Sequence, residues 1–120
     1  MKKEQEIIQY IELIPVRLRA VRQARGFKNS TVFAEIVQRK RTTYRSHEQG
    51  EVMMGISDAI HYSKILNISL SWLLTGEGTP FDHYTKPPSQ KEQDDLDYFL
   101  QIAIFKSQFK KNKIRKKYEK

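Results

Sequence analysis

Residues 29–49 read NSTVFAEIVQRKRTTYRSHEQ, and this stretch contains two short helical patterns separated by QRK. Asn29 is a typical N-cap residue, and Phe33, Ile36 and Val37 follow it together at helical spacing in the first pattern. In the second pattern, Tyr44 is spaced so that its ring is expected to point toward Phe33 and Val37. A connection of three residues forces a steep crossing of the two helices, as in helix-turn-helix units. The stretch therefore predicts two short helices packed closely together.

The rest of the chain also reads as helix, with no period-two run of β-branched residues and no hairpin signal. Isoleucines mark one face of an N-terminal helix that Pro15 is expected to end, or to separate from the next helix. Gly26 and Asn67 are typical residues at helix ends, and Ser89 with Glu92 forms a capping box. We therefore predict an all-α fold.

Four segments are expected along the chain. They are an amphipathic N-terminal helix (1–14), a compact five-helix domain (15–78), a linker with a proline pair (79–89) and a C-terminal helix with a basic tail (90–120).

Composition points to a polyanionic partner. The 120 residues carry a net charge of +8 with an isoelectric point near 9.7, and positive charge concentrates in residues 15–78 and 106–120. The chain has no cysteine, which excludes disulfides and thiolate metal sites. Without a membrane-spanning run or a signal-peptide pattern, a cytoplasmic protein is expected.

Residues 17–51, RLRAVRQARGFKNSTVFAEIVQRKRTTYRSHEQGE, together with NISLSWLLTGEG at 67–78, resemble the Cro and phage-repressor class of helix-turn-helix DNA-binding domains. Within that class the chain is most similar to phage immunity repressors. The resemblance implies that the second helix of the pair enters the major groove of duplex DNA with its N-terminal end leading. The implied base-reading residues are Arg41, Thr42, Arg45 and Ser46.

Two further sets of residues follow from the resemblance and from the charge pattern. Phosphate contacts, which supply most of the affinity, are expected from Lys28, Asn29, Ser30, Thr31, Arg39, Lys40 and Thr43. For the lysines, an ordinary solubility role is the alternative. Arg22 and Glu48 match a partly buried ion pair that joins two helices in the family, so Glu48 is expected to be structural.

Three residues depart from the family pattern. Gln38 stands where glycine is usual, at a turn position that tends to be left-handed and is therefore costly for glutamine. Arg39 stands where an apolar residue is common, and His47 where an aromatic or aliphatic residue is common.

The C-terminal helix has two adjoining apolar stripes, and their breadth predicts a partner that covers them. A homodimer on a near-palindromic site is expected, with oligomerisation residues Leu96, Phe99, Leu100, Ile102, Ala103 and Phe105. Folding of this helix back onto its own domain is the alternative. The basic tail is expected to bind phosphates, to follow the minor groove or to remain in solvent.

Other functions have weaker support. The nearest alternative is a protein-interaction module of antitoxin or anti-repressor-partner type that uses the same fold. RNA-binding signatures are missing. The three histidines (47, 61 and 83) lack metal-ligand spacing, and no nucleophile or phosphate-loop motif is present, so neither an enzyme nor a cofactor or metal is expected.

Overall fold

The computed structural model describes the backbone of residues 2–81 and 89–118, and the side chains of residues 13–81 and 89–105 except residue 103. Within these ranges the chain is all-helical, apart from one isolated antiparallel bridge between Ile68 and Phe81. The six helices are α1 (Lys2–Ala24), α2 (Ser30–Ile36), α3 (Arg41–Gln49), α4 (Ile56–Leu66), α5 (Leu70–Thr75) and α6 (Gln90–Tyr118).

Local chemistry sets most of these helix ends. Asn29 accepts a hydrogen bond from the Thr31 amide at 2.8 Å at the start of α2, and Ser69 accepts one from the Trp72 amide at the start of α5. Asn67 ends α4 in the left-handed conformation. Asn29 and Asn67 therefore act at helix ends, as the sequence predicted.

The expected helix boundary at Pro15 is wrong, because α1 continues through this proline without a break. Pro15 packs against Gly50, the left-handed residue that ends α3: a β-carbon built on Gly50 would lie 3.3 Å from the Pro15 Cγ. Packing against α3 and the rest of the domain thus outweighs the local preference of proline to break a helix.

The core lies between α1 and the short helices. Its largest fully buried side chains are Tyr44, Tyr62, Phe33, Leu18, Leu66, Leu73, Val21 and Val37. Trp72 of α5 is also buried and belongs to this core. Phe81, which falls in the expected linker, is buried too and belongs to the core; residues 82–88 of that linker lie outside the described residues.

Helix α6 packs along α1. Leu96 is 3% exposed and belongs to the core, while Phe99 and Leu100 pack against it. The prediction that these three residues form an oligomerisation surface is therefore corrected: within one chain they cover its own domain, as the fold-back alternative required. Of the other predicted oligomerisation residues, Ile102 is half-buried and Phe105 is exposed, and the side chain of Ala103 lies outside the described residues.

Candidate nucleic-acid interface

Helix α3 has two chemically different faces. Tyr44, His47 and Glu48 are buried at the helical spacing of one face. The opposite face consists of exposed Arg41, Thr42, Thr43 and Arg45, with Ser46 half-buried beside them. Since Glu48 is the one acidic residue in this helix and is buried, the outer face carries positive charge and hydroxyl groups.

An ion pair attaches α3 to α1. The Arg22 Nη2 lies 2.7 Å from the Glu48 Oε1, and the Arg22 Nε lies 3.2 Å from the same oxygen. Arg22 also donates to the carbonyl of Phe27, just beyond the end of α1. Both charged side chains are buried, so the pair predicted from the sequence is present and is removed from water.

Aromatic and imidazole rings attach α3 to α2 and α4. The Tyr44 ring lies 5.2 Å from that of Phe33 and 5.3 Å from that of Tyr62. The His47 Nδ1 is hydrogen-bonded to the Tyr62 hydroxyl at 2.9 Å. His47 therefore fills its apolar position as a core residue with a satisfied polar atom.

Burial also changes the acid–base properties of these rings. Burial lowers the pKa of His47 below its ordinary value, which favours the neutral imidazole. It raises the pKa of Tyr62 to about 12, with the Asp58 charge adding to the effect. The pKa of Tyr44 is raised further, first by burial and then by the charge of Glu48. The buried face of α3 is thus uncharged at neutral pH apart from the Arg22–Glu48 pair.

The turn before α3 holds Gln38 in a left-handed conformation, with φ of +56°. The amides of Gln38 and Arg39 donate to the carbonyls of Glu35 and Ala34 at 3.1 and 2.9 Å, which is the hydrogen-bond pattern of a Schellman helix end. This is the conformation in which glycine is usual, so the prediction of a left-handed turn at Gln38 is confirmed.

Arg39, expected among the phosphate-binding residues, is instead tied to α4. Its Nε lies 3.1 Å from the Asp58 Oδ1, and both side chains are partly buried. In the same region His61 Nε2 donates to the Val37 carbonyl at 2.8 Å. These contacts fix the turn between α2 and α3, which is a structural role that the sequence did not reveal for Arg39.

The two arginines on the outer face of α3 differ in their surroundings. The Arg41 side chain is 70% exposed and lies 3.7 Å from the exposed Glu35 carboxylate, which is a weak surface pair. Arg45 Nε donates at 3.0 Å to the side-chain oxygen of Gln49 in the amide orientation that satisfies both groups. Arg41 is therefore free to change partners at small cost, whereas Arg45 is held along the helix.

The remaining residues predicted to contact phosphates lie just before α2 and α3 or in the first turn of α2. Lys28 and Asn29 are exposed before α2, and Ser30 and Thr31 are half-buried in its first turn. Lys40 is exposed at the N-cap of α3, and its side chain makes no capping hydrogen bond there. The Asn29 side chain already occupies the Thr31 amide, so that amide does not remain available to a phosphate.

Sequence analysis did not identify the structural roles of two further arginines, the buried Arg17 in α1 and the half-buried Arg25 just after it. Arg17 donates to the carbonyls of Leu73 and Leu74 at 2.8 and 3.0 Å, at the end of α5. Arg25 donates to the carbonyls of Leu66 and Asn67 at 2.9 Å, at the end of α4. Their partners lie 41–57 residues away in the chain, so the signal was limited to the spacing of arginines along α1.

Arg25 also contacts the C-terminal part of the chain. It is paired with Glu92 in the first turn of α6, and its guanidinium carbon lies 4.3 Å from the centre of the Phe81 ring. A single arginine therefore joins α1, the end of α4, the segment before residue 82 and α6.

The described residues contain no group of three or more histidine and acidic side chains placed to hold a metal ion. Among the helices described, none combines the length and the apolar composition that crossing a membrane requires. No protein-family model, curated protein or solved structure matches this chain.

Proposed function

We propose that this protein is a sequence-specific regulator of transcription that binds double-stranded DNA through the outer face of α3. In this proposal α2 and α3 act as a helix-turn-helix unit of the phage-repressor type, and the protein binds a near-palindromic operator as a dimer. The observation that supports it most is the contrast between the two faces of α3, one anchored in the core and the other exposed, basic and without an acidic side chain.

The proposed contacts follow from the geometry of the major groove, which admits an α-helix and displays a distinct pattern of donors and acceptors for each base pair. Arg41 and Thr42 stand at the leading end of α3, and Arg45 and Ser46 follow one turn later. Arg41 is the best candidate for guanine, since an arginine makes two hydrogen bonds to the O6 and N7 atoms of that base. Thr43 on this face, Lys40 just before α3 and the exposed Lys28 before α2 are proposed to contact phosphates.

The anchoring contacts support a rigid reading helix. The Arg22–Glu48 pair attaches α3 to α1, and the His47–Tyr62 hydrogen bond and the Arg39–Asp58 pair attach α3 and its preceding turn to α4. A side chain reads a base reliably only when its helix is held in a fixed position.

Binding isotherms with duplex DNA at several salt concentrations test the proposal. The logarithm of the binding constant should fall with the logarithm of salt concentration by about 0.9 for each phosphate that the protein neutralises. A protein-interaction module, whose support is the exposed apolar group Val52, Met53 and Ile56 after α3, would show no such dependence. Absence of salt-dependent DNA binding would refute the proposal.

Replacing Arg41 tests the role of the outer face. Arg41→Ala should reduce the preference for a selected site over random duplex DNA by about 1–3 kcal/mol, because a bidentate contact with guanine is lost. The control is Lys64→Ala, which removes one exposed positive charge from α4. If Arg41→Ala, like the control variant, loses as much affinity for random duplex DNA as for the selected site, Arg41 does not read a base.

A further inference from the structure

Helix α6 uses one of its two apolar stripes to cover its own domain. Leu96 is in the core, Phe99 and Leu100 pack against it, and Glu92 is paired with Arg25, the residue just after α1. The second stripe begins at Tyr98 and continues through Ile102 to Phe105. Tyr98 is 60% exposed and Phe105 is 68% exposed, so these side chains are left in solvent by the chain itself.

The spacing of this outer stripe is that of a helix–helix seam. Residues 98, 102 and 105 are separated by four and then three positions, and the sequence places Phe109 at the next step of four. Apolar residues that alternate at these intervals form the contact line of a two-helix coiled coil. A lone exposed aromatic residue needs no explanation, but a seam of this length on a continuous helix indicates a helical partner.

The distribution of acidic and basic residues along α6 indicates which helix can pair with it, and in which orientation. Residues 90–97 contain four acidic side chains and one lysine, whereas residues 106–118 contain seven basic side chains and none that is acidic. A parallel pair of such helices places like charges together. An antiparallel pair places the acidic part of each helix beside the basic part of the other, and the two halves then attract.

We propose that the outer stripe of α6 binds the same stripe of a second copy of this chain, in an antiparallel pair with two-fold symmetry. The register that aligns the apolar residues is centred between residues 103 and 104. In this register Tyr98 lies opposite residue 109 of the second copy, and Ile102 lies opposite residue 105. The surface is self-complementary, as the interface of a symmetric dimer requires.

The proposal deepens the dimeric part of the proposed function by naming its surface and orientation, and its test does not use DNA. Sedimentation velocity of the full chain at a series of protein concentrations should show a monomer–dimer equilibrium. Phe105→Ser should shift this equilibrium strongly toward the monomer. Ile104→Ser, a change of an adjacent exposed apolar residue outside the stripe, should leave it nearly unchanged. Thermal unfolding followed by circular dichroism verifies that both variants fold.

Two sedimentation results would overturn the pairing: a wild-type chain that stays monomeric at every concentration, or a dimer that Phe105→Ser leaves intact. A monomeric chain that still binds DNA with the expected salt dependence would refute the pairing and leave the DNA-binding proposal standing. A dimer that does not bind DNA would refute the DNA-binding proposal and leave the pairing standing.

Orientation is measured separately with a spin label. The chain has no cysteine, so Gln93→Cys introduces a unique, exposed attachment site near the start of α6. With a rise of 1.5 Å per residue, the antiparallel register separates the two copies of residue 93 by about 30 Å along the helix axes. A parallel pair keeps them within about 10 Å, the distance between packed helix axes. A short distance in the labelled dimer would contradict the antiparallel arrangement.

Discussion

The ion pair between Arg22 and Glu48 is a buried contact between α1 and α3, and the cost of its removal can be worked out. Glu48→Gln preserves the size of the side chain and removes its charge. Arg22 is 3% exposed and Glu48 is 8% exposed, so water cannot replace the missing carboxylate. Loss of one partner from a buried ion pair costs about 3–5 kcal/mol, because the other charge remains buried and uncompensated.

We expect the lower end of this range, about 3 kcal/mol, since glutamine retains an oxygen that accepts a hydrogen bond from Arg22. This corresponds to a decrease of the folding equilibrium constant on the order of a hundredfold. Urea unfolding followed by circular dichroism measures this loss, provided that the free energy of unfolding falls with urea concentration at the same slope in both proteins.

Two controls make the measurement specific. Glu51→Gln removes an exposed carboxylate just beyond α3 and should change the free energy of unfolding by less than about 0.5 kcal/mol. The double variant Arg22→Met with Glu48→Met replaces both charges by apolar side chains and should recover most of the loss. If Glu48→Gln costs less than about 1 kcal/mol, the pair does not hold α3 as argued.

Three further changes test the turns and the core around α3. Gln38→Gly should raise the free energy of unfolding by about 1 kcal/mol, because glycine adopts the φ of +56° without strain; an unchanged or lower urea midpoint would contradict the strained turn. Gly50→Ala should cost more than Gly26→Ala: both glycines have positive φ, but at Gly50 the new β-carbon also meets Pro15 at 3.3 Å. Equal losses in thermal unfolding would show that the Pro15 contact is unimportant. Because burial lowers the pKa of His47, the unfolded chain binds a proton at this imidazole more readily than the folded chain does. The contribution of His47 to the free energy of unfolding should therefore be fully present above the ordinary pKa of 6.5 and should decrease as the pH falls below it. Urea midpoints between about pH 7 and about pH 5 should show a smaller decrease in His47→Gln, and an identical pH dependence would exclude His47 as the cause.

Local signals in the sequence were sufficient for the helices around the proposed site. Asn29 and Asn67 act at helix ends because each forms its hydrogen bond or left-handed turn within a few residues. The inward direction of Phe33 and Tyr44 follows from helical periodicity alone. These features depend on neighbours in the sequence, which is why they were predictable.

Features that depend on distant contacts were not predictable in the same way. Pro15 has a strong local tendency to end a helix, and only packing against α3 shows why α1 continues. Arg39 reads as a surface cation until Asp58 is placed beside it. Both stripes of α6 are apolar in the sequence, and the structure was needed to show that Leu96 faces the domain while Phe105 does not.

Nuclear magnetic resonance shows residue by residue whether the outer face of α3 contacts DNA. A duplex selected by the protein from a random pool is added stepwise to isotopically labelled protein, and the amide signals are followed. DNA binding by this face should give the largest changes at Arg41, Thr42, Arg45 and Ser46, with smaller changes at the start of α2. Changes confined to α6 or to residues 52–56, with the α3 signals unmoved, would contradict it.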